Sequence, residues 1–404
     1  MLQSIRQVST LLFGVAILLS GHGLQLAFVP LRAEVMGWSS SWVGALGSIY
    51  FCGFLAGCFA IPAVMARAGH SRTFAALTAL MTSSILGLVL FSNFAYWLLL
   101  RFVCGVAISG LYLVIESWLN EQIENEVRGG VLATYTAIVL GALALGQLLL
   151  NMAPLEEDTL IVMSAMLICI AAIPVCVTST AQPSQIPAAS FSPLLVIKTS
   201  RAAAIASGTA GVVLGSFYSL GPVYGLSIGM DVSGISVMMA LGIAGGALSQ
   251  LPLGRFSDKR DRRIVVLFIM LGGMLISLLA CFISAGNIPY IMLLFGACVM
   301  PVYALALAHA SDNVANQSFL EVGTGLLVIH ALGSIIGPLL TAQFMQLFGP
   351  QSFFSFNALV LLLGSVFIAF QIRSHRSKRE HYSDFEPATT AAAQGVLQMD
   401  PRTQ

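Results

Sequence analysis

Gly254-Arg255-Phe256-Ser257-Asp258-Lys259-Arg260-Asp261-Arg262-Arg263 is a charged turn set between two long apolar runs. A second turn of the same kind, Pro62-Ala63-Val64-Met65-Ala66-Arg67-Ala68-Gly69-His70-Ser71-Arg72, stands 192 residues earlier, so that Pro62 aligns with Gly254, Arg67 with Lys259 and Gly69 with Asp261. Gly141 meets Gly333 at the same spacing. A basic turn at one phase of two long apolar units marks an internal duplication. Repeats of this kind place a binding site at their interface, near the membrane midplane.

The runs around the turns are long enough to cross a bilayer, which takes about 20 apolar residues for about 30 Å of hydrocarbon. Twelve such runs are expected, six at about 8–31, 41–66, 74–93, 95–119, 131–152 and 160–177. Six more are expected at about 202–225, 233–256, 264–284, 289–310, 320–348 and 352–372. They must be helices, because an open sheet leaves its backbone unsatisfied in lipid. The composition agrees. Of 404 residues, 57% are hydrophobic and 9% charged, against about 25% charged in soluble domains. A soluble enzyme, a nucleic-acid binder and a disordered scaffold are all excluded, and a net charge of +1 gives no field to gather polyanions. The seven cysteines lie in apolar runs with no ligand spacing, so neither a disulfide framework nor a zinc site is expected.

Charge sets the orientation, since Lys and Arg concentrate on the cytoplasmic side. With the N-terminus inside, 16 of the 18 basic residues fall inside; Arg32 falls outside and Arg101 within a span. Both termini are therefore expected in the cytoplasm. The stretch 179–200, with Pro183, Pro187 and Pro193, reads as a linker between two six-helix halves. The expected organisation is a bundle at 1–178, a cytoplasmic linker at 179–200, a bundle at 201–373 and a disordered cytoplasmic tail at 374–404.

Gly254-x-x-x-Asp258-Lys259-x-x-Arg262-Arg263 resembles the signature loop of the major facilitator superfamily, with Asp261 where glycine is usual. The first copy is degenerate, Ala66 replacing the acid and His70 one base. Arg101 with Gly105, and Glu121 followed by Arg128-Gly129, resemble the motifs of the fourth span and its loop. Arg67-x-Gly69-His70 together with Glu116-Ser117-Trp118-Leu119-Asn120-Glu121 is similar to a bacterial, YcaD-type group of transporters. The resemblance implies an all-α polytopic membrane protein with 12 transmembrane helices in two pseudo-symmetric six-helix bundles. It also implies that Arg67, Gly69, Glu121, Arg128, Gly254, Asp258, Lys259 and Arg262 form cytoplasmic charge networks that latch the outward-open state. Gly333-x-x-x-Gly337-Pro338 in span eleven looks like an exporter motif that belongs to span five, which here has only Gly141 and Gly146 and no proline.

A charge inside a membrane costs at least about 2.5–3.5 kcal/mol, which makes it a site candidate by default. Arg101, Gly105, Ile108, Tyr112 and Glu116 share one helical stripe, and the resemblance implies that span four lines the central cavity. Arg101 reads as part of the site or as hydrogen-bonding glue to span one. His22 and Gln25 share a face of span one at similar depth; packing is the competing reading. His330 lies on a stripe of small residues, as close helix approach also requires. Tyr218 reads as a substrate contact or as packing. Glu116, one helical turn and more deeper than Glu121, is the expected proton carrier or, alternatively, a second acid of the latch. No nucleotide-binding loop and no hydrolase constellation appears, so no enzyme activity and no cofactor are expected. The expectation is a monomeric secondary active transporter of a small organic solute in the bacterial inner membrane, working by alternating access and coupled to a proton or other ion gradient. The alternatives are a multidrug efflux pump and, in another class, a membrane receptor or scaffold that binds without transporting.

Overall fold

The computed structural model describes residues 2–122, 128–177, 193–312 and 319–374. All of its regular secondary structure in these segments is helical, joined by short turns. The first half of the chain forms α1 (Leu2–Val35), α2 (Ser40–Ala68), α3 (His70–Gly87), α4 (Phe94–Gln122), α5 (Arg128–Leu148), α6 (Thr159–Ile170) and α7 (Ala172–Val177). The second forms α8 (Pro193–Thr199), α9 (Arg201–Ser227), α10 (Val232–Ser257), α11 (Arg262–Ala280), α12 (Ile288–Val299), α13 (Pro301–Asp312), α14 (Phe319–Phe348) and α15 (Ser352–Ser374).

All twelve expected runs are helical, with instructive differences. The sixth is broken at Ala171 into α6 and α7, and the tenth at Met300 into α12 and α13. Pro301 accounts for the second break, because its ring clashes with the preceding turn and it donates no backbone hydrogen bond. Among the described residues, eleven helical segments are long and apolar enough to cross a membrane. The third run is the exception, because α3 opens on His70-Ser71-Arg72-Thr73 and ends at Gly87, leaving the apolar Leu88–Leu90 in a turn. The linker is not wholly irregular: its end forms α8, which starts on Pro193 and buries Val196. Proline suits that first helical position, where no N–H is needed. The tail beyond Ser374 lies outside the described residues, and α14 runs unbroken through Pro338.

The duplication is visible in backbone contacts. A Cβ on Gly23 would meet the Leu143 carbonyl, and one on Gly146 the Ser20 carbonyl, which locks α1 against α5. Gly215 against Ser334, and Gly337 against the Val212 carbonyl, repeat that crossing between α9 and α14. Gly53 against Phe102 and Gly105 against Tyr50 join α2 to α4, and Gly245 against Leu293 and Gly296 against Gly242 join α10 to α12 in the same way. Residues of α1 and α2 map onto the second half at 192, while those of α4 and α5 map at 191. The turns agree too: Gly37 and Gly229, at the 192 spacing, have φ of 80° and 83°. Small residues let helices approach this closely in lipid, where van der Waals contact replaces the hydrophobic drive. Gly141 is not part of this pattern. Space beyond its Cα is open, whereas Gly333 packs on the Gly208 carbonyl, so the structural mate of Gly337 is Gly146.

The halves meet through α2 against α14, α5 against α10, and α1 and α2 against α9. One end of the bundle carries the turns at 66–72 and 255–263, the basic face; the other carries Glu156, Glu157, Asp158 and Asp231, the acidic face.

Candidate functional site

A cavity of about 100 Å³ lies where the halves meet, walled by α1, α2, α4, α5, α9 and α14. Leu26, Phe51, Phe54, Leu140, Leu143 and Leu327 make it mainly apolar, and its polar groups are His22, Tyr50, Tyr112, Tyr218, His330 and Ser334. No Asp, Glu, Lys or Arg lines it among the described residues. Toward the acidic face it is shut by hydrogen bonds between the halves. Ser48 Oγ donates to the Ile335 carbonyl at 2.6 Å, Asn151 Nδ2 to Ser236 Oγ at 2.8 Å and Gln343 Nε2 to Ser41 Oγ at 3.0 Å. Ser41 in turn bonds Gln346. Gly44 and Gly47 of α2 pack on Pro338, and Gly47 also on Ser219, leaving no room for side chains at that seam.

Four of the expected site residues, His22, Tyr112, Tyr218 and His330, reach this one cavity. Gln25 and Arg101 stand behind it. Arg101 Nη1 donates to Gln25 Oε1 at 2.6 Å, Gln25 Nε2 meets His22 Nδ1 at 3.0 Å, and His22 Nε2 meets the Tyr50 hydroxyl at 3.2 Å. The guanidinium also lies over the Tyr50 ring, 4.5 Å from its centroid. The expected cavity stripe on α4 therefore divides. Gly105 faces the α2 backbone, Arg101 faces Gln25 and Tyr50, and only Tyr112 of the five lines the cavity. Glu116 lies nearby, 1% exposed, accepting from the Tyr135 hydroxyl at 3.4 Å. It is also within electrostatic reach of Tyr112 and of Tyr303 on α13. Across the cavity His330 Nδ1 meets the Ser207 carbonyl at 3.2 Å, and its ring stands edge-on to Tyr303 at 5.0 Å.

At the basic face the second-half turn forms a buried ionic knot. Arg262 is fully buried, its Nε 2.8 Å from Asp312 Oδ2, its Nη2 3.1 Å from Asp258 Oδ1, and its Nη1 3.1 Å from Ser257 Oγ. Asp261 caps α11 by accepting from the Arg263 backbone N–H, and its carboxylate also takes the Arg263 guanidinium at 2.7 Å. Partial burial works to raise the Asp261 carboxyl, but the Arg263 hydrogen bonds outweigh it and hold the group below its ordinary value. Asp261 has φ −61°, so this turn does not need the glycine that is usual there; Gly69, its counterpart, has φ 82°. Gly254 is buried in the last turn of α10, where its carbonyl accepts from Ser257 Oγ. Lys259 and Arg67 are exposed and make no ion pair among the described residues, so neither joins the knot. The side chains of Glu121 and Arg128 lie outside the described residues.

Sequence reasoning did not single out Tyr50, Tyr135, Tyr303 or Asp312. The tyrosines carry no signal, since aromatics in membrane helices are mostly packing. Asp312 did have one: it stands 191 residues after Glu121, the offset of its part of the repeat.

Twelve runs, two crossing patterns repeated between the halves at offsets of 192 and 191, and a cavity at the seam define a membrane-embedded helical protein of the transporter type. The Major Facilitator Superfamily family model matches residues 11–326, and the chain belongs to that superfamily. It is 30% identical over 363 residues to the uncharacterized MFS-type transporter YcaD of Escherichia coli O7:K1, covering 89% of this chain and 93% of the relative. It is 28% identical over 378 residues to the uncharacterized MFS-type transporter Ent638_1421 of Enterobacter sp. strain 638, covering 93% and 97%. Among solved structures, the nucleoside transporter NupG superposes with a TM-score of 0.76 at 12% identity, covering 90% of this chain and 98% of that one.

Proposed function

We propose that this protein is a proton-coupled secondary transporter of a small organic solute, in which residues 1–178 and 201–373 act as two six-helix bundles that expose the seam cavity to one side of the membrane at a time. The observation that carries this reading is the cavity itself: it lies between the halves and is shut toward the acidic face by bonds that cross the seam. The positive-inside rule assigns the basic face to the cytoplasm of the inner membrane, so this conformer is sealed from outside. A cysteine replacing Lys259 should then escape impermeant labels in intact cells; labelling from outside would reverse the assignment.

Glu116 is the coupling group in this reading. It is buried at the cavity's basic-face side, about 22 Å along α4 from Arg101 at 1.5 Å per residue. Access of water to Glu116 from one side of the membrane at a time would let it take up a proton on one side and release it on the other. Burial beside Tyr135 favours this role over that of an interfacial acid of the latch. Arg101 and His22 belong instead to the substrate end. Efflux of cationic drugs is the weaker reading, because no carboxylate lines the cavity among the described residues. In proteoliposomes, Glu116→Gln should abolish gradient-driven accumulation while solute exchange persists. Accumulation with the parent's pH dependence would end the coupling role, and loss of exchange in the parent protein itself would favour the receptor alternative.

A further inference from the structure

Among the described residues Arg101 is a buried cation without an anionic partner. Its side chain is 3% exposed, it has no ion pair with a carboxylate among the described residues, and its Nε has no hydrogen-bond partner among them. A buried charge is costly unless something compensates it. Among the described residues its partners are the Gln25 side-chain oxygen and the face of Tyr50.

The hydrogen bonds that leave Arg101 have a fixed direction. A guanidinium only donates, so the Gln25 side chain must turn its oxygen to Arg101 and its NH₂ to His22. His22 Nδ1 therefore accepts, and the ring carries its hydrogen on Nε2, where it donates to the Tyr50 oxygen. Tyr50 has then accepted, and its own O–H remains to donate. Tyr50 lines the cavity. The chain delivers a hydrogen-bond donor, polarised by a buried cation, to the wall of a mainly apolar chamber, where such bonds reinforce one another.

The opposite wall has the reverse polarity. His330 Nδ1 can only donate to the Ser207 carbonyl, which leaves Nε2 of the neutral ring as an acceptor. An acceptor there disfavours a second anionic group. The field, the donor and the apolar walls together select one negative charge on a compact hydrophobic body.

We infer that the cavity binds a compact, largely apolar monocarboxylate whose carboxylate accepts the Tyr50 hydroxyl within the field of Arg101. This names the substrate class, and its passage across the membrane after binding rests on the transporter reading. Benzoate, benzamide and benzylamine share one ring and differ in charge, which makes them suitable probes of the purified full chain in nanodiscs. Benzoate should bind at least about tenfold tighter than benzamide, as one hydrogen bond to a charged group predicts, and benzylamine should not bind. Tyr50→Phe keeps the ring over Arg101 but removes the O–H, and should lower benzoate affinity about tenfold, to that of benzamide. Gln25→Leu cuts the chain upstream and should do the same if Tyr50→Phe does not fold. Binding of benzylamine at or above the level of benzoate, benzoate affinity indifferent to both variants, or no binding by any probe would each overturn the inference. Counterflow in liposomes separates it from the transporter reading: benzoate binding without counterflow sinks transport and keeps the site, whereas counterflow of benzylamine alone keeps transport and sinks the carboxylate.

Discussion

In the second half of the chain, Arg262 is sealed between Asp312 and Asp258; 192 residues earlier the same place in the fold holds His70, which is bonded to the hydroxyl of Ser117 at 2.9 Å. Asp258 itself corresponds to Ala66, and Asp261 to Gly69. Yet four glycine crossings recur at matching positions in the two halves: Gly23 and Gly215, Gly53 and Gly245, Gly105 and Gly296, and Gly146 and Gly337. At these four crossings packing is held by where side chains are absent, a constraint that acts on the backbone. The polar groups at the ends of the helices are held by much weaker constraints and have diverged. The cavity follows the same division, with His22 fed by a donor chain in one half and His330 anchored on a carbonyl in the other.

The sharpest way to break that comparison is at the knot, where the largest effect is expected. Asp312 has a side chain 2% exposed, against 18% for Asp258. Removing the sole partner of a buried charge costs about 3–5 kcal/mol; loss of Asp312 leaves Arg262 with the more exposed Asp258 and should cost a large part of that. Asp312→Asn should therefore lower the thermal midpoint of the purified protein far more than Asp258→Asn, although the signature of the turn contains Asp258 and not Asp312. Equal midpoints for the two variants would mean that the two acids share the buried arginine evenly, and a lower midpoint for Asp258→Asn that the signature acid carries it.

Most of the fold was legible in the sequence because a membrane span is written as length and hydropathy, and those are local properties. The third run shows the limit of that signal: α3 holds its place with Thr73, Thr78 and Ser84 bonded back to its own or the preceding turn's carbonyls, so its polar side chains cost little in the membrane. The site was legible only in part. His22 and Gln25 could be paired from their i, i+3 spacing, but the direction of the chain depends on Arg101 and Tyr50 arriving from α4 and α2. Such convergence is a property of packing. The stripe on α4 misled for the same reason: a helix of a tightly packed bundle is buried on several sides, and a shared face does not say which neighbour it meets. Asp312 was recoverable, since carrying Glu121 across the repeat lands on it.

A smaller effect tests the packing side of the comparison, and here the sign decides. Alignment of the sequence halves pairs Gly141 with Gly333, while the crossings pair Gly146 with Gly337. A methyl group on Gly146 would meet the Ser20 carbonyl, one on Gly337 the Val212 carbonyl, and one on Gly333 the Gly208 carbonyl. Backbone cannot swing aside as a flexible side chain can, so the helices must part, and overpacking of this kind costs about 1–3 kcal/mol. Gly141 faces open space, so alanine there meets nothing and gains up to about 1 kcal/mol from helix propensity. Gly146→Ala, Gly337→Ala and Gly333→Ala should each lower the thermal midpoint in detergent, whereas Gly141→Ala should leave it unchanged or raise it. If Gly141→Ala destabilises like the other three, α5 crosses α1 in a different register, one helical turn and more away, and the agreement between the two halves fails at its first crossing. If Gly146→Ala is as harmless as Gly141→Ala, then the α1–α5 contact is loose where α9–α14 is tight, and the halves differ in packing as well as in charge.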